Sequence, residues 1–344
     1  MKKFALAAVA AAALTGGVAQ AYTVGSFSNG FVVPNVIHNG AANTTAVGIV
    51  NQSTGTIPVF WTFFDQNSNH GVDGCFGMTA KQYTGFNWAA VSGVGMENKR
   101  GYLVFAVGIP AGGATAANVC TGATQTLAPV AATAQIAGNA FYVDVAGKSV
   151  AYTPVIDGPL VLAGGTNLTT MGPFSLQRVA GAAAVLGGAG GAAITSPEPA
   201  LIPAAAGVNV NAFGRANTTQ LSLRYFIDGA AGGNDTRITV WSTGNHKGTH
   251  TVNIYDNAQN RQSVNFVLAE NELSWFDPES ISGRPAAFTD GFIEWNPSVL
   301  PSDAPVATAS VEGPIAAIGG DVVAYSTIIA PAFGAVQTLL GAHR

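Results

Sequence analysis

Asp65, Asn67, Asn69 and Asp73 place four oxygen-bearing side chains in the pattern D-x-N-x-N-x-x-x-D. Oxygens at alternate positions of a tight loop can wrap a calcium ion, which takes about six to eight such ligands. The best-known loop of this kind needs glycine at its sixth position and glutamate at its twelfth. Here those positions hold His70 and Phe76. A second copy of the pattern, Asp256 to Asn260, keeps only its first and fifth members. Aspartate and asparagine fold back onto turn backbone and tolerate left-handed conformations. Asp65, Asn69, Asp256 and Asn260 are therefore read as structural turn residues. Calcium held by Asp65, Asn67, Asn69 and Asp73 is the alternative, and no other cofactor is expected.

His246 and His250 lie four apart, a spacing that pairs two imidazoles on a helix. No glutamate stands between them, Lys247 follows His246, and the segment reads as a hairpin, so an exposed turn is expected. His38, His70 and His343 stand alone. There is no nucleophile elbow and no phosphate loop. The glycine-rich run Gly187–Gly191 lacks the preceding strand and the lysine that phosphate binding needs. The 18 acidic residues contain no duplicated pair of the glycosidase kind. No catalytic residue is assigned and no enzyme is expected. Cys75 and Cys120 are the only cysteines and are read as one disulfide of an exported chain. A loop of that length constrains the unfolded chain by roughly 4 kcal/mol. Exposed tryptophans can stack on sugar rings. Trp61, Trp241 and Trp295 fall in expected strands, however, and Trp88 and Trp275 follow a hairpin in each half, so all five are read as core.

The elements that would position these residues come in two sets. A shift of 191 residues, Asn43 to Asn234, carries Val47, Ile49 and the run Val59–Asp65 onto Ile238, Val240 and His250–Asp256 without a gap. Further on, Gly101–Phe105 matches Gly291–Trp295, and Val150–Ile156 matches Val323–Ile329. The repeat is too long for a stacked solenoid and implies a duplicated domain. The expected layout is a leader over 1–21, a first unit over 22–165, a Gly/Ala/Pro-rich linker or surface excursion over 166–206, and a second unit over 207–344.

Within each unit the strands are short and the residues β-branched or aromatic. Thr236–Trp241, Thr249–Tyr255 and Gln262–Leu268 alternate polar and apolar, as half-buried strands do. Turn signals at Asp228-Gly229, Gly244-Asn245 and Asn257 to Asn260 separate them. This spacing suggests β-sandwiches. The segments Phe63–Asn69 and Ile254–Asn260 resemble the hydrophobic-Asp-x-x-x-Asn hairpins of bacterial immunoglobulin-like domains. Trp61–His70 also resembles stretches of exported proteobacterial surface proteins with tandem domains of that type. The resemblance implies an all-β fold of two tandem immunoglobulin-like sandwiches related by internal duplication, and export to the cell surface. It implies no chemistry. The cysteines depart from the antibody placement around a central tryptophan. An outer-membrane barrel also fits exported alternating strands, but the apparent duplication disfavours it.

Met1-Lys2-Lys3, the apolar run Phe4–Leu14 and the ending Ala19-Gln20-Ala21 read as a secretory leader. That run is too short to anchor in a bilayer, so no transmembrane span is expected in the mature chain. Charged residues make up only 9% of the chain against 48% hydrophobic. Large cores are possible, and the surface must be Ser, Thr, Asn, Gly and Ala. Weakly charged surfaces repel their own copies little. A net charge of -4 supplies no basic face for nucleic acid. The expectation is an extracellular or outer-surface structural protein, possible in the periplasm too, whose partners are its own copies or other surface components. An adhesin or carbohydrate-binding module is the alternative, with glycan as partner. A secreted enzyme with a dispersed site is third.

Overall fold

The computed structural model describes residues 26–179 except 41, 130–134, 146 and 174. It also describes 183–184, 220–228, 235–303 except 298 and 300, 321–330 and 335–343. The expected leader and most of the expected linker lie outside the described residues.

In the first half the strands are β1 (Gly30–Val36), β2 (Asn43–Asn51), β3 (Ile57–Asp65), β4 (His70–Met78), β5 (Tyr83–Asn87), β6 (Gly101–Ile109), β7 (Thr124–Leu127), β8 (Ile136–Asp144), β9 (Ser149–Thr153), β10 (Ile156–Asp157), β11 (Leu160–Leu162) and β12 (Leu176–Val179). In the second they are β13 (Ala183–Ala184), β14 (Leu221–Phe226), β15 (Asp235–Ser242), β16 (Gly248–Asp256), β17 (Arg261–Leu268), β18 (Leu273–Phe276), β19 (Asp290–Trp295), β20 (Asp321–Ala330), β21 (Ala335–Leu340) and β22 (Ala342–His343). Two single-turn helices, α1 (Trp88–Val91) and α2 (Val119–Gly122), interrupt them. The protein is all-β, with antiparallel pairing throughout.

Sheet I has the order β10-β1-β6-β3-β4, with β7 on β6, and sheet II the order β5-β2-β8-β9. They close over a core that includes Phe31, Ile49, Trp61, Phe63, Trp88, Leu103 and Phe105. Sheet III has the order β17-β16-β19-β14-β22, and sheet IV runs β18-β15-β20 with β21 and β13 on β20. Their core includes Leu223, Tyr225, Ile238, Val252, Ile254, Phe266 and Trp295. Leaving out β7, β13 and the β11–β12 hairpin, the two halves share one strand order. Each also ends by crossing sheets, β9 to β10 and β21 to β22. This order departs from the immunoglobulin arrangement, in which the first strand joins the second and fifth. Here β1 joins β6, and β8 takes its place beside β2. One expected match needs correction. Val150–Thr153 is the edge strand β9, whereas Val323–Ile329 lies in β20, the counterpart of β8.

The same side chains tie the same strands in both halves. Thr45 Oγ1 accepts from Ile37 N–H and donates to Ile37 C=O, both at 3.1 Å. Thr236 makes the same two bonds to Phe226 at 2.8 Å. Gly101 and Gly291 face the carbonyls of Phe64 and Tyr255, where an added Cβ would lie 1.9 and 1.8 Å from oxygen. Only glycine permits that backbone approach.

A third core joins the halves. Val32, Phe60, Phe64, Tyr102 and Val104 on the outer face of sheet I pack with Trp241, Leu273, Val323 and Tyr325 on the outer face of sheet IV. Leu160, Leu168, Met171, Leu176 and Val179 complete it. Residues 166–179, expected to open a linker, thus supply buried apolar side chains and the hairpin strand β12. Trp241 is buried, but between the sandwiches rather than inside one. The disulfide joins Cys75 of β4 to Cys120 of α2, with Cα atoms 5.9 Å apart.

Trp241 is fully buried and meets Tyr102 edge-on at 5.6 Å. Replacing such a side chain by alanine costs about 3–5 kcal/mol. Trp241→Ala should therefore lower stability by that order and separate the unfolding of the halves into two calorimetric transitions. A Trp241→Ala protein that melts like the wild type would show that the third core does not couple them.

Candidate binding cleft between the two sandwiches

Of the two expected turns, Asp65–Asn69 sits where the halves meet. Asp65 Oδ1 accepts from the N–H groups of Asn67 and Asn69, both at 2.9 Å, and Oδ2 accepts from Asn69 Nδ2 at 2.9 Å. Asp256 makes the corresponding bonds to Ala258 and Asn260 at 2.7–2.9 Å. Ser68 and Gln259 take positive φ at the same place. These bonds hold the Asp256 carboxylate below its usual range, led by the Asn260 side chain. Asp65, Asn67 and Asn69 come together, but as a hydrogen-bonded turn. Asn67 reaches across to the second half, donating to Glu270 at 2.7 Å and accepting from Asn271 N–H at 3.1 Å. Asp73 lies apart on β4, 3.3 Å from His70. Among the described residues no group of three or more His, Cys, Asp or Glu is placed to hold a metal.

The docked turn covers a buried acid. Gln66 C=O accepts from the N–H groups of Glu272 and Leu273 at 3.2 and 3.1 Å. Glu272 is 4% exposed. Its neighbours are Ser68, whose hydroxyl bonds that of Tyr102, and the Asp65 carboxylate. Burial first, and Asp65 second among the raising causes, push the Glu272 carboxyl up to about 8. Burial also raises the Tyr102 hydroxyl.

His246 and His250 are buried rather than exposed. His250 occupies an inward position of β16, where the alternation places it on Phe266 at 5.4 Å. Its Nδ1 accepts from Trp295 Nε1 at 3.3 Å, and its Nε2 lies 2.7 Å from His246 C=O. Burial lowers its affinity for a proton. The pair therefore caps the second core. The signal for this was the strict alternation of Thr249–Tyr255, which puts residue 250 on the face of Val252 and Ile254. Trp88 is fully buried, but Trp275 is not its equivalent, being 36% exposed. It lies near the open end of β18, on the face that carries Thr239 and Tyr325.

There the outer face of sheet IV diverges from the first half and leaves a cleft of about 270 Å³. Arg237, Trp275, Tyr325 and Thr327 line one wall, and Asn35, Arg100, Tyr142 and Tyr152 the other. The third core closes its base. At its side β9 meets β21, where Thr338 Oγ1 donates to Tyr152 C=O. The Arg100 guanidinium lies 4.1 Å from the centre of the Trp275 ring, and that of Arg237 lies 5.5 Å away. Arg237 is already neutralised by Asp235 and by Asp277 at 2.7 Å. Arg100 donates to Asn35 Oδ1 at 2.6 Å. Neither Trp275 nor Arg100 stood out as a site residue in the sequence, because their meeting joins residues 175 positions apart.

Comparison of the chain with protein-family models, curated proteins and solved structures found no match. No helix among the described residues is long and apolar enough to cross a membrane.

The Glu272 shift sets a pH dependence. An unfolded carboxyl of this type titrates near 4.5, and the folded one near 8. The folded state therefore holds a proton that the unfolded state has released, and stability falls as pH rises through that window. The contribution is full below the lower value and lost above the upper one. Thermal unfolding of the wild type should weaken from about pH 5 to pH 8, and Glu272→Gln should flatten that slope. Equal slopes in the two proteins would remove Glu272 as its source.

Proposed function

We propose that the chain is a non-enzymatic, exported binding protein of the cell exterior, whose two sandwiches form one frame around a glycan-binding cleft. The observation that carries this is the single partly exposed tryptophan, Trp275, standing in the cleft between the halves. Pockets of this kind combine aromatic and apolar walls with a few polar groups that orient the ligand. The kinship expected with tandem immunoglobulin-like surface domains, and their origin by duplication, belong to the same proposal. The shared strand order, the Thr45 and Thr236 ties and the two Asp-x-x-x-Asn turns support the duplication. The leader-like N-terminus and the scarcity of charge support export.

The other four tryptophans are at most 8% exposed, so Trp275 is the one within reach of a ligand or quencher. A glycan array should give hits, and those glycans should shift the emission of the wild type and protect it from iodide. Trp275→Phe should lose both effects while keeping its fold. An array without hits would overturn the reading.

A second reading, self-association, has its own observation. The outward positions of sheet II include Ala46, Val50, Tyr83, Phe141, Val143, Val150 and Tyr152, and none of its outward positions is charged. Tyr83 is 67% exposed and Val150 58%. Light scattering at high concentration should show oligomers that Phe141→Lys dissolves. A strict monomer at every concentration would exclude association through this face.

A further inference from the structure

Arg100 is the unusual residue of the cleft. Burial lowers its proton affinity. Among the described residues no carboxylate lies within ion-pair distance of it. Its one hydrogen bond to the described residues goes to Asn35 Oδ1. A guanidinium has five N–H donors in a planar fork. One face of that plane lies on Trp275, which fixes the fork's orientation. Removing a charge from water costs several kcal/mol unless a partner answers it. Fold stability alone does not account for such a group, since an apolar side chain of the same volume would be less costly there.

Of the other charged side chains, Arg237 has carboxylate partners, whereas Asp144 in the cleft lining and Glu270 outside it accept hydrogen bonds from neutral groups. Asp144 accepts from Gly147 N–H at 2.8 Å in its own turn. Glu270 accepts from Asn67. Arg100 is thus the guanidinium of the cleft that lacks a carboxylate partner, and it stands beside an aromatic ring with Tyr142, Tyr152 and Thr327 in the same lining.

We propose that this cleft binds an acidic sugar, a hexuronate, with Arg100 holding its carboxylate and the exposed part of Trp275, beyond the area that Arg100 covers, packing against the apolar face of its ring. This rests on the glycan reading of the same cleft and adds the class of sugar. The planar fork matches a carboxylate with two parallel hydrogen bonds. Those bonds return to the half-buried guanidinium part of what it lost with its water. A neutral hexose offers the same ring but leaves the cation unanswered.

The test titrates the full mature chain with glucuronate and with glucose, read by calorimetry and by tryptophan emission. Glucuronate should bind at least tenfold more tightly than glucose. Arg100→Gln should lose at least tenfold in glucuronate affinity, with its melting temperature equal to or above that of the wild type. Arg100→Lys, which keeps the charge but not the fork, should fall between them. Equal affinity for the two sugars overturns the carboxylate assignment and leaves the glycan reading standing. Failure of glucuronate to bind, while neutral glycans of the array do, has the same meaning. No binding by either sugar or by any arrayed glycan overturns both readings. A large drop in melting temperature for both variants, with no change in the ratio of glucuronate to glucose affinity in Arg100→Lys, makes Arg100 structural and overturns the assignment.

Discussion

Burial of sheet I on both of its faces is the constraint from which the rest of the structure follows. Strands β3 and β6 are buried at every position except their last residues. One face packs on sheet II, the other on sheet IV and the β11–β12 hairpin. Their counterparts β16 and β19 alternate, because sheet III has a single buried face. Two-faced strands read as continuous apolar runs, and one-faced strands as alternation. The same place in the shared strand order therefore carries two compositions. Phe60, Phe64 and Tyr102 stand where the second half carries Thr251, Tyr255 and Phe292. The contact between the halves is what requires the difference.

That contact is apolar at its centre and polar at its rim. The apolar part is unselective, since hydrophobic burial has no direction. The turn from Asp65 to Asn69 provides the direction. It presents Gln66 C=O and the Asn67 amide to the backbone and side chains of residues 270–273. A turn of the same form closes a hairpin in both halves, and in the first it also docks on the second. The cost appears at Glu272, whose carboxyl is kept protonated into the neutral range by its burial. Groups displaced so far from their solution behaviour gather where structure serves a purpose other than stability. Here the purpose served is the alignment of the two halves, which also opens the cleft at the far end of sheet IV.

The cleft is a product of two opposing surfaces, with Trp275 on one and Arg100 on the other. Neither sandwich alone would hold it. Its walls rest on regular strands, apart from Arg100 just before β6, so the positions of its side chains follow from strand registers rather than from loops. Thr239 faces both Trp275 and Tyr325 across its two neighbouring strands, which sets the aromatic wall. Asn35 on β1 steers the Arg100 fork. Tyr152 belongs both to the cleft lining and to the uncharged outer face of sheet II, so the two surfaces adjoin there.

Local physics was fully legible in the residues. Alternation gave the strands of the second half, Asp-x-x-x-Asn gave both turns, and the offset of 191 gave the matching strands from Asn43 to Asp65. Each depends on neighbours within a few positions or on the chain repeating itself. Where the signal was composition alone, it misled. Val150–Ile156 and Val323–Ile329 look alike because both are β-branched runs, yet pairing puts them in different places. His246 and His250 looked exposed because their segment reads as a hairpin, with Lys247 beside His246 and no glutamate between the two. Residues 166–179 looked like linker because Gly and Pro frame them, although Leu168, Met171, Leu176 and Val179 are buried. Even the runs Val59–Phe64 and Tyr102–Val107 carried the mark of two-sided burial without naming what covers the second face. By itself the sequence determined the alternating strands and the turns between them, because those are set by bonds and side-chain alternation along the chain. Only the tertiary structure decided which faces meet, and with them the buried acid, the stacked Arg100 and the cleft, because contacts between distant residues depend on shapes that no local spacing encodes.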